Sequence, residues 1–242
     1  TVDSGPLRMG LPVVDYLTGY NALTGVLLAL AARERSGRGQ RVEATLFDTG
    51  LSLLVPHGAN WLTSGQTPQR LGSAHPNIAP YDSFKASDGE LFLGVVNNGQ
   101  FRRFCEHVGR ADLAADARFA DNRSRLAHRQ VLRAEIERTL ATHAVAALCE
   151  ALMRKGVPAG PVNSVPQALT QPHAAHRRML VEQEGHRSLG IPVKLSANPG
   201  RPGQRPPRLG EHAEAILAEL GYDRAQIEAL RADRVVVAGP PR

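Results

Sequence analysis

Apolar and small residues recur at Leu17, Tyr20, Leu23, Leu27 and Leu30. That spacing of three or four predicts a helix over residues 15–35. Asp15 stands at its expected N-cap, and Ser36-Gly37-Arg38-Gly39 stops it. Residues 41–47 alternate instead. Val42, Ala44 and Leu46 face one way and Arg41, Glu43 and Thr45 the other, as in a strand. Residues 48–63 return to helical spacing. Helix, strand and helix in succession are the parts of an α/β layer.

Residues 64–80 are dense in Gly, Pro, Ser and Asn and read as a linker or functional loop. Residues 81–85 and 90–95 then predict two strands paired across the turn Ser87-Asp88-Gly89. Helical patterns follow at 99–108, 122–143 and 144–155, the last ended by Gly156 and Pro158. Short helices are expected at 165–170 and 172–178, a strand at 180–184, and helices at 211–220 and 223–232. Residues 199–207 read as extended. The composition breaks at 64–80 and near 161–172 suggest three stretches: 1–65 in a large domain, 66–165 as a small domain, and 166–242 as a linker and return to the large domain.

The chain has 242 residues, 42% hydrophobic and 21% charged, ordinary for a globular protein. No uninterrupted apolar run approaches the roughly 20 residues that span a bilayer, and no secretory signal opens the sequence. A start at Thr1, in a Gly- and Pro-containing stretch, suggests that something lies upstream. Cys105 and Cys149 each fall in a helical apolar pattern and read as buried free thiols, which suits a reducing cytoplasm. The net charge is +6, carried almost wholly by arginine, whose fork suits phosphate and carboxylate. An inactive fragment acting as a basic binding module, for RNA for example, is the non-enzymatic alternative. Against it, aromatics are scarce and do not interleave with arginine to form a stacking surface. Arg-rich codon usage accounts for the same excess of arginine.

Asp15 is the candidate for chemistry. A carboxylate at a helix start is usually a cap. It is also kept ionised by the helix dipole, and Gly19, one turn on, leaves room for a ligand. A carboxylate nucleophile needs to be both charged and reachable. His75, in a Gly/Pro/Asn-rich loop, either lines a pocket or caps its neighbour Asn77. His212 reads as a helix-start residue. No histidine pair has metal spacing, and there is no Cys–His cluster.

Around Asp15 the sequence resembles a known family. The segments Gly10-Leu-Pro-Val-Val-Asp15-Tyr-Leu-Thr-Gly19, Gly25-Val-Leu-Leu-Ala-Leu30 and Arg33-Glu-Arg-Ser-Gly37-Arg-Gly39-Gln40 are similar to the signature of class III coenzyme A transferases. Gly72-Ser-Ala-His75-Pro76-Asn77-Ile-Ala-Pro80-Tyr81, Asn97-Asn98-Gly99-Gln100-Phe101, Gly156-Val-Pro158-Ala-Gly160-Pro161-Val-Asn163 and Leu209-Gly210-Glu211-His212 continue the resemblance in order along the chain.

The resemblance implies an α/β fold: part of a large Rossmann-like domain, whose N-terminal half would lie outside this sequence, plus a smaller α+β domain. It implies a homodimer of interlocked rings. The implied reaction moves coenzyme A between an acyl-CoA and a carboxylic acid, with Asp15 as nucleophile and His75, Asn77, Asn98 and Gln100 as substrate-binding candidates. Coenzyme A is then a substrate, and no separate cofactor, nucleic acid or membrane is expected. A 2-methylacyl-CoA racemase is the enzymatic alternative. In that group extra glycines follow the aspartate, whereas Tyr16-Leu17-Thr18 follow Asp15.

Overall fold

The computed structural model describes residue 5 and residues 7–201 and 203–237. The chain divides into two compact units, Thr1–Val162 and Asn163–Arg242.

The first unit opens with helix α1 (Val13–Ser36), followed by α2 (Leu46–Ser52) and α3 (His57–Ser64). Its N-cap is Pro12, not Asp15, and Pro12 makes no side-chain cap bond. Asp15 lies in the first turn, at its third position. Gly37 ends the helix in the left-handed region at φ 70°, where glycine carries no Cβ penalty. The strand expected at 41–47 does not form; residues 37–45 have no regular structure. Alternation favours extended backbone, but a strand also needs a neighbour to complete its hydrogen bonds. Here the segment lies along α1 instead. A Cβ at Gly25 would sit 2.6 Å from Val42 Cγ1, so a larger residue at position 25 would push Val42 aside. Asn21 Nδ2 donates to Thr49 Oγ1 at 3.1 Å, tying α1 to α2. The single helix expected over 48–63 is two, parted by residues 53–56, where Pro56 has no N–H to continue the first.

The apolar core lies further along this unit. Strands β1 (Tyr81–Lys85), β2 (Glu90–Gly94) and β3 (Ala159–Pro161) form an antiparallel sheet in that order. Phe84 faces Leu91, and Asp82 faces Leu93, in register. Against the sheet pack α4 (Asn98–His107), α5 (Ala111–Ala115), α7 (Arg129–Leu140) and α8 (Val145–Arg154). Their buried stripes follow helical spacing: Phe101, Phe104 and Cys105 on α4, Leu132, Ile136 and Leu140 on α7, and Val145, Leu148, Cys149 and Leu152 on α8. The hairpin turn also serves α8. Asp88 Oδ1 accepts from Val145 N at 2.8 Å, and Ser87 Oγ donates to His143 O at 2.7 Å.

The predicted helix over 122–143 is divided at His128 into α6 (Asn122–Ala127) and α7. Strand β3 was not anticipated, because three residues containing Gly and Pro carry no strand pattern of their own. Both cysteines are free and buried. Burial pushes the Cys105 thiol up to about 12, with Asp112 adding to the shift.

The second unit holds α9 (Val165–Leu169), α10 (Pro172–His176), the hairpin β4 (Leu180–Gln183) and β5 (His186–Leu189), then α11 (Ala213–Glu219) and α12 (Arg224–Ala232). The hairpin turn places Glu184 and Gly185 at φ 51° and 72°, the doubly left-handed geometry of a tight two-residue hairpin loop. Strand β5 also went unpredicted. Capping boxes open α9 (Ser164 with Gln167) and α12 (Asp223 with Gln226).

Arg205 grips the Glu211 carboxylate through two bonds, at 3.0 and 2.5 Å. Hydrogen bonding from Arg205, and then from the Arg208 backbone N–H, brings the Glu211 carboxyl down from 4.5 to about 2. A carboxyl depressed on folding stabilises the fold above its unfolded pKa, and that contribution is lost as pH falls through the folded value. The second unit is therefore expected to weaken between about pH 4.5 and 2. Glu211→Gln should flatten that part of the curve. Thermal unfolding followed by circular dichroism across this range checks it; an unchanged slope in the variant contradicts it.

Candidate active site

Asp15 is exposed on the first turn of α1. Among the described residues its carboxylate has no hydrogen-bond or ion-pair partner. Unlike a capping aspartate, it is not committed to the backbone of its own helix.

The other four candidates gather about the segment between α3 and β1 and at the start of α4. His75 Nδ1 accepts from the Asn77 N–H at 3.1 Å, so its ring caps the next turn of chain. Its edge packs on Tyr81, with ring centroids 5.1 Å apart. Burial lowers the His75 pKa, and the charges of Arg129 and His57 add to the effect. The Asn77 carboxamide forms a reciprocal pair with that of Asn60 on α3, both bonds 2.9 Å. A cavity of about 450 Å³ opens beside this pair, lined by His57, Asn60, Thr63, Gln66, Gln69 and Pro76 among others. Among the described residues that line it there is no carboxylate, lysine or arginine.

At the start of α4, Asn97 is the N-cap and accepts from Gln100 N at 2.9 Å. The Gln100 carboxamide accepts from Val96 N at 2.8 Å and donates to Gly156 O at 3.1 Å. Its polar atoms are thus used in holding its own loop. The Asn98 side-chain oxygen accepts from Arg125 Nη2 at 2.9 Å.

The sequence reading passed over three residues that organise this region: Asn122, Arg125 and Arg129. Asn122 accepts from Ala79 N and donates to Asn77 O. Arg125 Nε donates to Ala79 O at 2.7 Å. Arg129 Nη2 donates to His75 O at 2.7 Å and Pro76 O at 3.3 Å. The backbone carbonyls of residues 75, 76, 77 and 79 are therefore all engaged by side chains of α6 and α7. The signal was the spacing: in the single helix expected over 122–143, residues 122, 125 and 129 fall on one face. Among the described residues no group of three or more His, Cys, Asp or Glu side chains is placed to hold a metal.

The arrangement is a free carboxylate on one helix and, separately, a rigidly bonded turn rich in amides. Comparison with known proteins places it. The model of the CoA-transferase family III matches residues 1–213. The chain is 37% identical to the succinate–glutarate CoA-transferase of Agrobacterium fabrum over 90% of its own length and 56% of that protein. It is 34% identical to the acetyl-CoA:oxalate CoA-transferase of Acetobacter aceti, covering 93% of this chain and 58% of that one. A CAIB/BAIF family protein from Brucella suis, of known structure, superposes with a TM-score of 0.74 at 37% identity, over 90% of this chain and 58% of that one.

The chain belongs to CoA-transferase family III. The α/β class expected from the sequence holds, as a mixed helix and strand fold shared with these neighbours. The chain spans a little over half the length of the relatives it matches.

Proposed function

We propose that the native polypeptide containing this chain transfers coenzyme A between an acyl-CoA thioester and a carboxylic acid, with Asp15 as nucleophile. The observation that carries this is the identity of 34–37%, over at least 90% of the chain, with relatives named as CoA-transferases. The unengaged Asp15 carboxylate supports it. A carboxylate oxygen attacks the thioester carbonyl, forming an aspartyl–acyl anhydride and releasing CoA thiolate. The thiolate attacks the aspartyl carbonyl, giving an aspartyl-CoA thioester and the donor acid. The acceptor acid then repeats the sequence in reverse. Each tetrahedral intermediate needs N–H donors. The first-turn amides at Asn98 and Gly99 lack intrahelical acceptors and suit that role. His75, Asn77, Asn98 and Gln100 shape the acid-binding side in this reading, Asn77 through its carboxamide pair with Asn60, which lines the cavity, and Gln100 by holding its loop. Coenzyme A enters as a substrate, and the reading requires no separate cofactor.

An exchange assay tests the proposal. Incubation with acyl-CoA and a labelled acid should move label into the thioester pool without deuterium entering at the α-carbon. Deuterium incorporation without acyl exchange would instead assign a racemase.

The same reading includes a homodimer in the cytoplasm, without membrane or nucleic acid. Helix α1 has 24 residues and a mean hydropathy of 1.3 over its most apolar 18, long and apolar enough by length and composition to cross a bilayer. The search for an uninterrupted apolar run missed this, because Thr18, Tyr20, Asn21 and Thr24 are interspersed. Leu23, Leu27 and Leu28 are 53%, 57% and 66% exposed, and no residue of α1 is buried. A helix apolar on all sides is covered by something. The polar tie from Asn21 to α2 and the close seating of Val42 on Gly25 favour protein as that cover rather than lipid. A second copy is the proposed occupant. Light scattering at micromolar concentration should give twice the subunit mass; a monomer counts against it.

A further inference from the structure

Arg125 is fully buried, at 0% exposure, yet no carboxylate bonds it. Its guanidinium is satisfied by neutral oxygens on three different segments: Ala79 O at 2.7 Å, Phe119 O at 3.0 Å and Asn98 Oδ1 at 2.9 Å. Its Cζ lies 4.7 Å from the centre of the Phe101 ring. Asp121 attracts this charge from nearby without bonding it; burying a cation with no carboxylate in direct contact is costly, and a merely space-filling position would take leucine or methionine. What this cation does that an apolar side chain could not is bond two loops at once. One is the turn before β1, which carries His75 and Asn77. The other is the start of α4, which carries Asn98 and Gln100.

We propose that Arg125 is a positioning residue that locks these two loops into a single geometry for the transfer reaction; the functional part of this rests on the transferase reading above. The geometry explains the choice of arginine. Its three nitrogens diverge in a plane, so each reaches a separate acceptor. Lysine keeps the charge but has one nitrogen on a flexible stem and cannot span the same three oxygens. Asn122 and Arg129 then fix the remaining carbonyls of the turn, so the loop through Asn77 is held along its length. Displacing a substrate-facing group by about 1 Å costs on the order of a hundredfold in rate, so this lock acts on turnover while touching no substrate.

The test compares Arg125→Lys, Arg125→Met and Asn98→Ala in the native polypeptide. Hydrogen–deuterium exchange is the first readout. In Arg125→Lys, amides at residues 77–79 and 96–100 should exchange about tenfold or more faster, while those of β2 and α7 stay protected. Asn98→Ala should loosen only the α4 loop. Turnover in acyl exchange, normalised to folded protein, is the second. It should fall at least about tenfold in Arg125→Lys at a temperature where that variant remains folded. If Arg125→Met fails to fold, the lysine variant carries the comparison. Unchanged exchange in both loops, a uniform rise across the unit, or wild-type turnover in a folded Arg125→Lys would overturn the proposal. If both loops loosen but the parent protein transfers no CoA, the lock stands as a structural element, and the transferase reading and the lock's role in it fail.

Discussion

Asp15→Asn should reduce CoA transfer by about three orders of magnitude or more, since an amide is a poor nucleophile of nearly the same size. Asp15 is not the cap of α1, so its replacement removes no capping hydrogen bond. The remaining structural cost is the loss of a negative charge near the helix N-terminus, about 0.3–1 kcal/mol at an exposed site. Stability and turnover should therefore separate. The asparagine variant should melt close to the parent and still bind acyl-CoA, yet not transfer it. Trapping supplies the positive evidence. After incubation of the native polypeptide with acyl-CoA, quenching and digestion, the adduct should appear on the peptide containing Asp15 and be consumed by hydroxylamine. An adduct on another residue, or near-normal exchange in Asp15→Asn, would falsify the assignment of the nucleophile.

Phe101→Ala should be the most damaging of the single core truncations in the first unit. The ring is 2% exposed on α4, and deleting a buried phenylalanine costs about 3–5 kcal/mol. This position carries an added penalty, because the ring face shelters the Arg125 cation. Phe104→Ala, fully buried in the same cluster but away from that cation contact, is the control. Denaturant unfolding of both variants measures the difference. If Phe101→Ala proved no worse than Phe104→Ala, the ring would contribute packing alone.

The hairpin of β1 and β2 was legible in the sequence because its information is local. Alternation fixes each strand, and Ser87-Asp88-Gly89 fixes the turn. The helices α4 and α8 were legible within one or two residues for the same reason, since each has an apolar stripe and a stop signal. What failed was whatever depended on a distant partner. Residues 41–47 alternate like a strand but have no strand beside them. Strand β3 carries no pattern of its own and exists because β2 offers it an edge.

Asp15 was singled out from its surroundings and its resemblance to a family, and the structure moves the N-cap of its helix three positions upstream, to Pro12. Arg125 was invisible because an arginine in a charged helical stretch reads as surface. Only the fold brings Ala79, Asn98 and Phe119 around it.

Strand β3 also sets an order of events during synthesis. Leu91 pairs with Pro161, and Leu93 with Ala159, so the sheet closes between residues nearly seventy positions apart. The hairpin and the helices between them can form early, as each emerges, but the third strand reaches the ribosome's exit only after all of α4 to α8. Until then β2 has an open edge, able to accept a strand from another nascent chain. The sheet-closing residues thus come last in their unit, and the interval before they arrive is when this protein is most exposed to mispairing.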